Sequence, residues 1–196
     1  MTDMTAATLS TDNAPSLIRL HYLWYVAGAL CVMVAAIVSR NIWFLNWVHV
    51  MCGILWTGID LFMGFVLGPI MRTLDISVRK QILLKLTPRT LFLMPTLSII
   101  TGTAGWFLAV ELGFTALQWP QIAWVYAALV LVTLMTIQGL GYLLPTNLRV
   151  CFELQKAQPD GAKIRRLMSG YFYAVAAQGT MQVAIIVVMA KFVSGI

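Results

Sequence analysis

The sequence is poor in charge. Its 196 residues hold 13 Lys and Arg and 7 Asp and Glu, 10% in all, against 60% hydrophobic residues. A soluble domain carries about 25% charge. The deficit excludes an ordinary water-soluble domain and points to lipid as the surrounding solvent. Cysteine is scarce as well. Cys31, Cys52 and Cys151 form no C-x-x-C pair and no C-x-x-C-H haem-attachment motif. A disulfide scaffold is excluded too, because none of the three falls in an expected outer loop. Cys31 and Cys52 read as small apolar packing residues. There are only two histidines, His21 and His49. No phosphate-cradling glycine loop, G-x-S-x-G or H-E-x-x-H occurs, so the familiar soluble-enzyme chemistries have no motif to stand on.

The charges that are present sit in clumps. Arg19 to Arg40, Arg89 to Glu111, Glu111 to Arg149 and Arg166 to Lys191 are free of charge between their ends, and Arg40 to Arg72 contains only Asp60. A helix needs about 20 apolar residues to span a bilayer. Trp119-Pro120 divides the one gap that is too long for a single helix. The expectation is an all-α integral membrane bundle of five transmembrane helices, at about 17–39, 43–71, 88–111, 121–144 and 171–193. They form one domain over 17–196, behind a disordered cytoplasmic tail at 1–16. The tail carries Asp3 and Asp12 rather than the basic residues of a signal peptide.

The net charge of +6 is read as topology, not as a nucleic-acid signal. Basic residues gather in two stretches, Arg72 to Arg89 and Arg149 to Arg166. The positive-inside rule places both in the cytoplasm, with the N-terminus in and the C-terminus out. The first stretch reads as a loop, partly helical in pattern, that lies along the headgroups. Pro88 is expected to open the third helix, Pro95 to kink it, and Pro145 to close the fourth.

Within the second helix three side chains are unusual for a membrane. At 100° per residue, Trp56 and Asp60 lie about −20° and +20° from His49 around the axis, so the three share one face. Asp60 is close to mid-helix. A carboxyl group there needs donors, a cation or a proton, and intramembrane ionisable groups are functional by default. No Lys or Arg is expected at its depth. Gln138, Gln178, Gln182 and Thr133 are its candidate partners for proton or ligand contact. His49 lies about 16 Å along the helix from Asp60, out of direct reach. It is a candidate proton shuttle or haem ligand. His21 is read as an interfacial residue, about 20 Å from His49 by helix rise, so the two cannot clamp one haem. His49-x-x-Cys52 is a weak metal motif, and no metal beyond a haem iron is expected. Gly64-x-x-x-Gly68 is suited to close helix contact.

One ordered set of residues resembles a known family. It runs His49, Trp56-Thr57-Gly58, Gly68-Pro69, a basic stretch, Leu86-Thr-Pro88-Arg89-Thr-Leu-Phe92, then Thr101-Gly102. Over about 47–106 this resembles the membrane domain at the N-terminus of bacterial membrane-bound urate oxidases. More distantly it resembles the copper-resistance D and membrane protoporphyrinogen oxidase families. The resemblance implies a redox-linked, haem-associated subunit of the bacterial inner membrane. His49 would be the axial ligand of a b-type haem, with Trp56 and Arg89 in support. The sequence departs from the pattern at Asp60 and in having no C-x-x-C-H. Two alternatives stand beside this oxidoreductase reading. One is a proton-coupled transporter centred on Asp60. The other is a non-catalytic subunit or assembly partner of a larger membrane complex, or a homo-oligomer, joined through Gly64 and Gly68.

Overall fold

A computed structural model describes residues 20–156 and 158–195. The expected tail at 1–16 and Arg19 lie outside the described residues. All the regular structure described is helical: α1 (Tyr22–Val38), α2 (Ile42–Thr73), α3 (Ile76–Glu111), α4 (Ile122–Leu154) and α5 (Gly161–Val193). Helices α2 to α5 are each long and apolar enough to cross a membrane. Large apolar side chains such as Phe62, Phe65, Ile137 and Val187 stand exposed on their outer faces. That is how a helix meets lipid, which leaves no backbone group unpaired and no apolar surface to hide. α1 has 17 residues, about 26 Å at 1.5 Å per residue, and is apolar but shorter.

Three helices are longer than their sequence suggests. α3 starts at Ile76, not at Pro88, so the expected surface-lying stretch is instead an N-terminal extension of α3. Pro88 and Pro95 both lie inside the helix. α4 runs through Pro145 to Leu154, and α5 starts at Gly161, so the expected second basic loop shrinks to a short connector. The reason is packing among the charges. Leu83 of α3, Val150 and Leu154 of α4, and Ile164 and Met168 of α5 form one buried cluster, shared with Met63 and Met71 of α2. These apolar positions recur at helical spacing inside stretches that composition alone marks as polar.

Pro69 and Pro145 are absorbed by two wide turns. In α2 a π-turn at Phe62–Leu67 precedes Pro69, and in α4 a π-turn at Gly139–Leu143 precedes Pro145. The N–H of Gly68, just before Pro69, bonds to the carbonyl of Met63, five residues back. The N–H of Leu144, just before Pro145, bonds to the carbonyl of Gly139, again five back. A proline ring collides with the carbonyl four residues earlier in a regular helix. The extra residue in the turn moves that carbonyl aside, and the helix continues.

Three clusters of buried residues stack along the bundle. The first, at the basic end, is the one just described. Trp56, Leu97 and Met135 form the second, in the middle. Met33 and Ala36 of α1, Leu45 and Val48 of α2, and Ile100, Ala104 and Leu108 of α3 form the third, at the opposite end. α2 and α5 pack tightly. A Cβ at Gly64 would stand 2.8 Å from the Ala176 backbone, and one at Gly68 would stand 3.1 Å from the Phe172 ring. The Gly64/Gly68 face is therefore used inside the chain, which corrects the expectation that it serves a partner subunit. Cys31 is exposed rather than packed, Cys52 is half-buried and Cys151 is buried, all as free thiols.

Candidate functional site: a cavity beside Asp60

Asp60 sits near the middle of α2 and is 3% exposed. Its Oδ2 accepts a hydrogen bond from Gln182 Nε2 of α5 at 2.9 Å. Gln182 is itself 1% exposed. The contact joins residues that are 122 apart in sequence, where α2 and α5 approach closely. Small residues make this approach possible. A Cβ at Gly179, one turn before Gln182, would fall 2.8 Å from Leu61 Cδ2.

Asp60 lines a cavity of about 270 Å³. α3 and α4 form its long walls, with Asp60 and Trp56 of α2 and Tyr171 and Gln178 of α5 behind them. Its polar lining includes Ser98 and Thr103 of α3 and Thr136 and Asn147 of α4. Among the described residues, no Lys, Arg, Asp or Glu other than Asp60 lines it. At its basic end Asn147 Nδ2 donates to Thr90 Oγ1 at 3.3 Å, with both residues buried, and this pins α4 to α3.

Two acceptors at this site lack donors among the described residues: Gln178 Oε1 and Gln182 Oε1. The orientation of Gln178 follows from its other contact. Its Nε2 donates to the Met135 carbonyl at 3.4 Å, and a carbonyl can only accept, so the amide oxygen is the unpaired atom. Each buried unpaired acceptor costs about 1–3 kcal/mol. The site therefore holds one carboxyl group and two amide oxygens that call for donors, and no basic side chain.

The remaining sequence candidates lie elsewhere. Gln138 Nε2 donates to the Ala174 carbonyl at 2.7 Å and so clamps α4 to α5 without reaching Asp60. Thr133 is exposed and is no partner of Asp60. Arg89 is exposed, and its guanidinium bonds to the Lys85 carbonyl one turn back on the same helix. His21 is exposed at the start of α1. Asn147, Thr90 and Tyr171 belong to the site but escaped the sequence reading. They fall in stretches that read as loop or interface. Only the helical spacing of Asn147 with Val150, Cys151 and Leu154 hints that its stretch is folded.

His49 turns to α3. Its Nδ1 lies 2.9 Å from the Thr101 carbonyl, so that nitrogen carries the proton and donates. The ring fills a notch where α3 has no side chain. A Cβ at Gly105 would stand 2.6 Å from His49 Cε1 and 2.8 Å from Nδ1. Thr101 Oγ1, in the same notch, is buried without a partner among the described residues. His49 does not line the cavity, and the cavity lining contains no imidazole and no thiol. Among the described residues no three His, Cys, Asp or Glu gather as a metal site. The residues do not fit a haem held by His49 in this cavity, because ligand and space lie in different parts of the bundle.

Compared with known proteins, the chain matches no family model, no curated protein and no solved structure.

Proposed function

We propose that this protein is a proton-coupled transporter of the cytoplasmic membrane, with Asp60 as the group that exchanges a proton for ligand. The observation that carries this reading is the buried Asp60 carboxyl group, bonded to Gln182 and lining a mostly apolar cavity in which no described residue supplies a counter-charge. A carboxylate enclosed in this way is stable only with a proton or a cation beside it. The same position can then hold either, which is the minimum needed to couple one to the other. The titratable group that faces Asp60 is Tyr171 of α5, while the cavity faces of α3 and α4 carry none.

α1 is the fifth span. Its apolar length of about 26 Å falls just short of a bilayer core, and Trp24 and Tyr25 stand exposed at one end as interfacial anchors. The basic connectors then face the cytoplasm, with the N-terminus inside and the C-terminus outside. This reading is preferred over the haem-linked one because Asp60 lines a cavity, whereas His49 is wedged against α3.

The test is a pH jump applied to reconstituted protein on a solid-supported membrane. Wild type gives a transient charge displacement as Asp60 gains or loses its proton, and Asp60→Asn abolishes it. An undiminished signal in Asp60→Asn removes the reading.

A further inference from the structure

The cavity around Asp60 is open on one side, and that side faces lipid. Beyond the basic-end contact of α3 with the Leu144–Leu154 part of α4, the two helices make little contact. α4 is the least buried of the four long helices. Ile99 of α3 and Leu140 of α4 both line the cavity, and each is 49% exposed on the outside. They stand on the two lips of a lateral opening. The lining runs from Thr90 to Thr103 on α3 and from Val132 to Asn147 on α4. At 1.5 Å per residue each wall is about 20 Å long, some two-thirds of a bilayer core. The shape is a slot parallel to the lipid chains, apolar at its mouth and polar at its back.

The chemistry at the back selects the head group. Among the described residues, Asp60 offers a carboxyl group with no basic residue in the cavity lining, and Gln178, 2% exposed, offers an amide oxygen with no donor. A hydroxyl head would satisfy the hydrogen bonds but leave Asp60 protonated, so it could not exchange for the proton. An anionic head would add a second negative charge at close range. An ammonium head does both tasks, since it has three donors and a positive charge.

We propose that this slot takes a cationic amphiphile directly from the lipid phase, its ammonium head between Asp60 and Gln178 and its chain between α3 and α4. This rests on the reading of Asp60 as a proton-exchanging group and names the ligand class it exchanges. When the ammonium arrives at protonated Asp60, one proton leaves to the aqueous phase and a carboxylate–ammonium pair remains. Only the Asp60 O–H bond breaks, its electron pair stays on the carboxylate and its proton passes to water, and the charge enclosed in the slot stays at zero.

The test uses the full chain in phosphatidylcholine nanodiscs, with empty nanodiscs as the blank. The probes are nitroxide-labelled octadecylamine and the octadecanol carrying the same label. Electron paramagnetic resonance reads the immobilised fraction, and a pH dye reads proton release. The expected result is a saturable immobilised amine, with about one proton released per amine bound and the alcohol more than about tenfold weaker. Asp60→Asn loses both signals. Gly102→Leu, which lines the slot and whose added Cβ meets nothing within 4 Å, fills the slot and loses amine binding without a packing clash. Equal binding of amine and alcohol, amine binding without proton release, or amine binding unchanged in Gly102→Leu overturns the proposal. If wild type shows the pH-jump displacement but immobilises no amine, the ligand class is wrong and the proton site stands. If the displacement is absent from wild type, the proton site itself is wrong.

Discussion

Gln182 reaches across the bundle to place its amide nitrogen 2.9 Å from Oδ2 of the Asp60 carboxyl group. The pair fixes the register of α2 against α5 at the depth of the cavity. It also holds that carboxyl oxygen still.

Replacing Gln182 by Leu removes that donor while keeping most of the volume. A hydrogen bond to a protonated carboxyl group contributes about 0.5–1.5 kcal/mol, so thermal unfolding in detergent should show a loss of that order in Gln182→Leu. In the Asp60→Asn background the same change should cost less. A double-mutant cycle with zero coupling between the two positions would mean that the contact does not form in the membrane.

Glycines on the two faces of α2 should behave in opposite ways. Gly64→Ala drives a Cβ to 2.8 Å from the Ala176 backbone, which cannot give way as a flexible side chain would. Overpacking of this kind costs about 1–3 kcal/mol. Gly58→Ala meets nothing within 4 Å and should be neutral or stabilising. Equal melting temperatures for the two variants would contradict the close α2–α5 crossing.

The basic end carries a pH-sensitive clasp outside the hydrocarbon. Glu153, at the end of α4, receives Lys156 and Lys163, each at 2.8 Å, and the second of these begins α5. The hydrogen bond from Lys156 and then the one from Lys163 hold its carboxyl group well below the usual range of 4.5, at about 2. A carboxyl group lowered by folding stabilises the fold above its unfolded value and loses that contribution as pH falls through the folded one. The stability gap between wild type and Glu153→Gln should therefore be constant above about pH 5 and shrink between about 4.5 and 2. Both lysines are partly exposed, at 54% and 43%, so the gap should also shrink in high salt. Melting curves of both proteins at pH 7, 4 and 3 check it.

The membrane character of the chain was legible from composition, because a bilayer-spanning helix must be apolar over a fixed length, and no tertiary contact alters that requirement. The helix face holding Trp56 and Asp60 was legible from 3.6-residue periodicity, and so was the shared face of Gln178 and Gln182. The extents of α3 and α4 were not. Pro88 and Pro145 look like helix boundaries in one dimension. Whether a proline ends a helix depends on whether a wider turn or a neighbouring helix accommodates its ring, as the π-turn before Pro145 and the cluster around Leu83 do here.

What the sequence determined alone was which side chains must avoid lipid. It could not determine whom they meet. Periodicity fixes an angle about one helix axis and carries no information about which other helix lies there. Only the packed bundle set Gln182 rather than Gln138 beside Asp60, turned His49 into the notch at Gly105, and held α3 and α4 apart along the slot. Those outcomes depend on where small residues let backbones approach, a property of pairs of surfaces that no single stretch of sequence contains.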